Sequence, residues 1–122
     1  LPSHRNVVAA AAVDGIARVD SARGIALAID KVRYGNPPGL RWTALQILDR
    51  HAASHPELEG SYLALAGDRD SWLRIRAIET LGRIGGAASL PTLESIAADR
   101  ANRASAAAAG AAKEIKKRLG GE

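Results

Sequence analysis

The chain of 122 residues contains no cysteine, no methionine and no phenylalanine, and only 3% of its residues are aromatic. Without cysteine there is neither a disulfide framework nor a thiolate metal site, a usage compatible with a reducing cytoplasm. With so few aromatics, the 47% hydrophobic fraction must be carried by Ala, Leu, Ile and Val. Alanine is the best helix former, and its small side chain lets helices approach closely. The aromatic and β-branched runs that favour strands are scarce, so the expected class is all-α. Long apolar runs are absent too. The stretch from Val7 to Val13 is far below the roughly 20 residues that span a bilayer, so no membrane segment is expected. The opening Leu1-Pro2-Ser3-His4 lacks the charged start and apolar run of a signal peptide, and the chain reads as an excised piece of a longer protein.

Seventeen Lys and Arg stand against thirteen Asp and Glu, a formal charge of +4. Much of the excess falls at Arg100, Arg103, Lys113, Lys116, Lys117 and Arg118. A basic helix end complements the negative pole of its own macrodipole, so Lys113 to Arg118 read first as a solvated helix terminus and only second as a nucleic-acid surface.

One apolar pattern recurs four times. Val8, Ala12, Ile16 and Val19 map onto Leu40, Ala44, Leu48 and His51, then onto Leu73, Ala77, Leu81 and Ile84, then onto Ala104, Ala108, Ala112 and Ile115. The copies are displaced by 31 to 33 positions. Within each copy the spacing i, i+4, i+8, i+11 traces one stripe of an α-helix, which is the expected buried face. Shorter helices are expected between the copies, over 22–32, 56–66 and 88–98, with Ile25, Ile29, Leu58, Leu63, Leu65, Leu90, Leu93 and Ile96 as apolar members. Gly35-Asn36-Pro37-Pro38-Gly39, Gly67-Asp68 and Gly85-Gly86 supply the stops, and Asp70 or Ser71 is placed to cap the helix at Trp72.

A period of this length signals stacked units, because a lone helix pair cannot bury both of its apolar faces. The expectation is one domain over 1–122, with about seven helices in antiparallel pairs and units near 1–19, 21–53, 56–85 and 87–119. The first helix carries almost no charge between Val7 and Val13, as an internal repeat would. A covering segment upstream, or self-association through that helix, is therefore expected.

The segment Asp70-Ser71-Trp72-Leu73-Arg74-Ile75-Arg76-Ala77-Ile78-Glu79-Thr80-Leu81-Gly82-Arg83-Ile84-Gly85 resembles the second helix of a HEAT repeat in its acidic cap, early Arg, central Ala and Leu-Gly-x-Ile-Gly ending. The run from Ala88 to Asp99 is similar to the first helix of the next unit. The resemblance implies a right-handed α-α superhelix of the HEAT/armadillo-like kind. A narrower likeness lies in Asp20-Ser21-Ala22-Arg23-Gly24-Ile25-Ala26-Leu27-Ala28 and Val32-Arg33-Tyr34-Gly35-Asn36-Pro37-Pro38-Gly39-Leu40-Arg41. These resemble the helical-repeat tail of bacterial aminopeptidase N-like zinc metallopeptidases. That resemblance implies a zinc-bearing catalytic domain upstream, with a His-Glu-x-x-His helix that this chain lacks. The chain itself would be a non-catalytic tail that packs on that domain and shapes substrate access.

Candidate chemistry is sparse. His51 and His55 stand at i, i+4, a spacing that places two imidazoles on one helix face. No Glu lies between them, however, and Pro56 follows at once, which leaves Glu57 or Glu59 as further ligands and makes solvated histidines the better reading. Neither Ser54 nor Ser71 sits in a Gly-x-Ser-x-Gly turn. The pairs Gly85-Gly86 and Gly120-Gly121 lack the lysine and strand of a phosphate loop and read as helix stops. No catalytic, cofactor or metal residue is therefore assigned. Trp42 and Trp72, near the starts of successive equivalent helices, are read as core or inter-helix packing ahead of partner anchors, as are Tyr34 and Tyr62. Arg41, Arg74 and Arg76 form a short row, read as intramolecular pairs with acids such as Asp68 and Asp70 ahead of a phosphate-binding surface. Val8, Trp42, Trp72, Arg41, Arg74 and Arg76 are the candidate partner contacts. The expected partner is a protein, either the chain's own upstream domain or another polypeptide, with a free-standing adaptor as the alternative and a basic nucleic-acid binder the least favoured.

Overall fold

The computed structural model describes residues 21–120. The expected first helix and its candidate contact Val8 lie outside the described residues. The chain forms two compact units that divide between His51 and Ala52. Among the described residues all regular structure is helical, with six α-helices that pack in consecutive pairs.

In the first unit α1 (Ser21–Lys31) packs on α2 (Pro38–His51). The turn between them depends on Gly35, whose φ of +102° lies in the region that a Cβ disfavours. Asn36 then donates from Nδ2 to the carbonyls of Asp30 (3.1 Å) and Arg33 (3.3 Å), occupying acceptors that the end of a helix leaves open. Pro38 begins α2, where its missing N–H costs nothing. The expected stripe is buried at Leu40, Ala44 and Leu48, and Ile25, Ala28 and Val32 are buried on the other side of the pair.

The second unit opens with two 3-10 turns, Ala52–Ser54 and Pro56–Leu58. It continues through α3 (Glu59–Leu65), α4 (Ser71–Ile84), a 3-10 turn (Ala87–Ser89), α5 (Leu90–Ala98) and α6 (Ser105–Gly120). The helix expected over 56–66 is thus a 3-10 turn followed by a seven-residue α-helix. Pairs α3/α4 and α5/α6 are joined by α4 lying against α6, so this unit has one continuous core. Leu73, Ala77 and Leu81 of α4 and Ala108, Ala112 and Ile115 of α6 are buried in it, as their spacing predicts.

Three local devices hold this arrangement. Asp70 caps α4, its Oδ1 accepting from the N–H groups of Trp72 (2.9 Å) and Leu73 (3.4 Å). Gly82 lets α6 approach: a Cβ built on it would stand 3.1 Å from Ala111 Cα and 3.2 Å from Ala111 Cβ. Glu59 Oε2 accepts from the Gly86 N–H (2.9 Å) and from the hydroxyl of Ser89, which ties the start of α3 to the turn before α5. Arg118 adds a fourth link that the sequence reading assigned otherwise. Instead of serving only its own helix end, its guanidinium donates to the carbonyls of Gly82 and Gly85, each at 2.6 Å, and so caps the C-terminus of α4.

Candidate interaction surface

Arg41 and Arg74 occupy the same register in successive copies, one residue past Leu40 and Leu73. Arg41 is buried, and its Nε donates to the carbonyl of Val32, just beyond α1, at 2.9 Å. Its guanidinium also lies 5.7 Å from the centre of the Tyr34 ring. Arg74 Nη1 donates to the carbonyl of Asp68, beyond α3, at 3.0 Å. The fourth copy has Ser105 in this register, and its Oγ donates to the carbonyl of Ala97, in the last turn of α5, at 2.8 Å. One position thus does one job three times: a side chain from the first turn of the second helix donates to a carbonyl at the end of the first.

That observation corrects two expectations. Arg41 is not on a surface, because it is 4% exposed. The partner of Arg74 shown by the geometry is the backbone carbonyl of Asp68 and not a carboxylate, while Asp70 spends its carboxylate on the cap of α4 and Asp68 Oδ1 accepts from the Asp70 N–H at 2.9 Å. Arg76, two residues further on, is exposed. The row of three arginines therefore does not form one surface.

The tryptophans are also placed otherwise than expected. Trp72 is 74% exposed and Trp42 39% exposed, so neither is core filling. The reason is register. Trp72 precedes the buried stripe at Leu73 by one residue, which turns it about 100° away on the helix. In the second unit, Trp72, Arg76, Glu79 and Arg83 follow at i, i+4, i+7 and i+11 and are all exposed, forming the outer face of α4. Of the tyrosines, Tyr34 is 65% exposed, whereas Tyr62 is fully buried and fills the core as expected.

The histidine readings resolve locally. His55 Nδ1 lies 2.8 Å from Glu57 Oε1. The Glu57 carboxyl sits below its ordinary value, first because of a hydrogen bond from its own backbone and then because of the His55 ring. Glu59 is committed to Gly86 and Ser89. No group of three metal-ligating side chains forms among the described residues, and none of the described helices is long and apolar enough to cross a membrane.

Two grooves mark the second unit. One, of about 690 Å³, runs between the α3 end and α5 and is lined by Leu63, Ala66, Arg74, Pro91, Ile96 and Asp99, among others. The other, of about 670 Å³, lies between α5 and α6, with Ala97, Ala109 and Ala112 as its floor and Glu94, Lys113, Lys116 and Lys117 around it. Neither coincides with a sequence motif, so the sequence alone did not point to them.

Comparison with curated proteins and with solved structures gave no match. Among protein families, residues 28–113 match HEAT repeats, a span that includes the Arg41, Arg74 and Ser105 register and the Leu81-Gly82-Arg83-Ile84-Gly85 ending. The chain belongs to the HEAT-repeat family.

Proposed function

We propose that this chain is a non-catalytic helical-repeat scaffold that binds a protein partner, with Trp72 and Arg76 as contacts. The observation that carries the reading is Trp72, a large aromatic side chain left 74% exposed on the outer face of α4, one turn from the exposed Arg76. Trp and Arg are the residue types most often found at the energetic centre of protein interfaces. A side chain this exposed adds little to the stability of its own helix pair.

The finer reading, a tail that packs on the catalytic domain of an aminopeptidase N-like enzyme, rests on the likeness at 20–28 and 32–41 alone; the family match reaches no further than the repeats. The nucleic-acid alternative loses force because two of its three arginines are committed to backbone carbonyls.

The test is quantitative affinity capture with the wild-type chain and the double variant Trp72→Ala, Arg76→Glu, followed by binding measurements with the purified captured protein. A partner whose affinity falls at least about tenfold in the variant, with the helical circular dichroism unchanged, supports the reading. Capture indifferent to the variant, or turnover of aminoacyl reporter substrates by the purified chain, overturns it.

A further inference from the structure

We infer that the groove between α5 and α6 is a docking site for an acidic amphipathic helix from another protein, with Lys113 and Lys117 as its charged wall. The inference rests on the scaffold reading above and adds a second surface and the chemistry of what binds there.

Gly82, Gly85 and Gly86 of the third copy are the positions that receive the next helix pair. Gly82 meets Ala111, Gly85 lies against Ile115 and Ser89, and the Gly86 N–H is held by Glu59. One period on, the same three positions are Lys113, Lys116 and Lys117, and all three line the α5/α6 groove. The face that accepts a neighbour through bare backbone in one copy is therefore guarded by three ammonium groups in the next.

That exchange decides what fits. A further pair built like α5/α6 needs an approach as close as the one at Gly82, where an added Cβ would stand 3.1 Å from Ala111 Cα, and a lysine at this position disfavours it. The same substitution disfavours a second copy of this chain, which carries an excess of positive charge. The floor of Ala97, Ala109 and Ala112 is apolar and shallow, suited to small or medium side chains along one helix face. Lys113 and Lys117 are one turn apart on α6 and exposed, spaced to meet acids one turn apart on a partner helix. Lys116 is already paired with Glu94 at 3.4 Å, which leaves the wall positive overall. A polyphosphate strand uses no alanine floor, and the lysines lie along one helix edge and not across a broad face, so the geometry favours a helix over a nucleic acid.

The probe is a synthetic amphipathic helix with an Ala/Leu stripe flanked by glutamates at i, i+4 spacing, titrated into the full ¹⁵N-labelled chain and followed by NMR and by fluorescence anisotropy. The expected result is shifts at Ala97, Ala109, Ala112, Lys113 and Lys117. Affinity is expected to fall at least about tenfold in Lys113→Glu, Lys117→Glu and as salt rises from about 0.05 to about 0.5 M. A peptide with lysines in place of the glutamates should bind that variant and not the wild type, a rescue that a misfolded variant cannot give. Absence of shifts in the groove at millimolar peptide, or equal binding of both peptides to the wild type, overturns the inference. So does saturation of the same residues by a DNA duplex, by anionic vesicles or by self-association in preference to the peptide. Trp72 and Arg76 do not line this groove, so the scaffold reading stands or falls on its own test.

Discussion

Gly85 and Gly86 are adjacent, yet replacement by alanine should destabilise the fold at the first and not at the second. A Cβ on Gly85 would stand 2.6 Å from the Leu81 carbonyl oxygen, 3.0 Å from Ile115 Cδ1 and 3.2 Å from Ser89 Oγ. The first of these atoms is backbone and also accepts the Gly85 N–H at 2.7 Å, so the chain must swing away and weaken that bond. Overpacking of this kind costs about 1–3 kcal/mol, and the disturbed hydrogen bond adds about 0.5–1.5 kcal/mol. Against this stands a gain of about 0.4–1 kcal/mol from restricting the unfolded chain. The net expectation for Gly85→Ala is a loss of about 1–3 kcal/mol. A Cβ on Gly86 meets nothing within 4 Å, its φ of −121° and ψ of −161° are open to alanine, and its N–H bond to Glu59 survives. Gly86→Ala should therefore be neutral or stabilising by up to about 1 kcal/mol.

The assay is urea and thermal unfolding of both variants beside wild type, followed at 222 nm and by tryptophan emission. For a unit of this size each kcal/mol moves the midpoint by about 4–8 °C, so the two variants should separate by at least several degrees. Equal midpoints, or a Gly85→Ala protein as stable as Gly86→Ala, would refute the claim that Gly85 is needed for close approach and leave it as a mere helix stop.

Glu59→Ala strips the acceptor from the Gly86 N–H and from the fully buried Ser89 hydroxyl, and should cost about 1.5–3 kcal/mol; Ser89→Ala should cost less, and a double-mutant cycle should show coupling of at least about 0.5 kcal/mol. Arg74→Ala removes the tie to the Asp68 carbonyl and should destabilise by about 1–3 kcal/mol, whereas Trp72→Ala, on an exposed face, should stay within about 0.5 kcal/mol of wild type; denaturant midpoints check both. For Glu57, whose folded carboxyl is depressed by its backbone hydrogen bond and by His55, any stabilising contribution is present above the unfolded glutamate pKa and is lost as pH falls through the folded one. A carboxyl NMR titration should give a midpoint below that of free glutamate, and His55→Ala should raise it only part of the way, because the backbone bond remains.

What the sequence made legible is the part of the fold governed by helical period and by local punctuation. The stripes at Leu40/Ala44/Leu48 and Leu73/Ala77/Leu81 could be read because burial on a helix recurs with a fixed spacing, and the Asp70 cap because an N-cap acts within three residues. The surface was harder to read. Trp72 was expected to pack because tryptophan is large and apolar, but a displacement of one residue from the stripe decides its exposure, and residue type carries no information about that. Arg118 was expected to serve its own helix, since nothing local to 118 shows that the carbonyls of Gly82 and Gly85 lie beside it.

The Arg41, Arg74 and Ser105 register shows why arginines on a repeat are poor evidence for a ligand site. A helix leaves its last carbonyls without intrahelical donors, and in a helix pair the short turn returns the chain so that the first turn of the second helix passes close to them. A donor at that point satisfies an acceptor that every pair has, so the demand repeats with the fold itself and appears in sequence as a periodic arginine. The reach can vary, because Ser105 does from close range what Arg74 does with a long side chain. Periodic charge at this position is thus explained by the pair, and a functional surface has to be sought where the period breaks: at Trp72, which has no counterpart one period on in Arg103's loop, and at Lys113, Lys116 and Lys117, where three glycines give way to three positive charges.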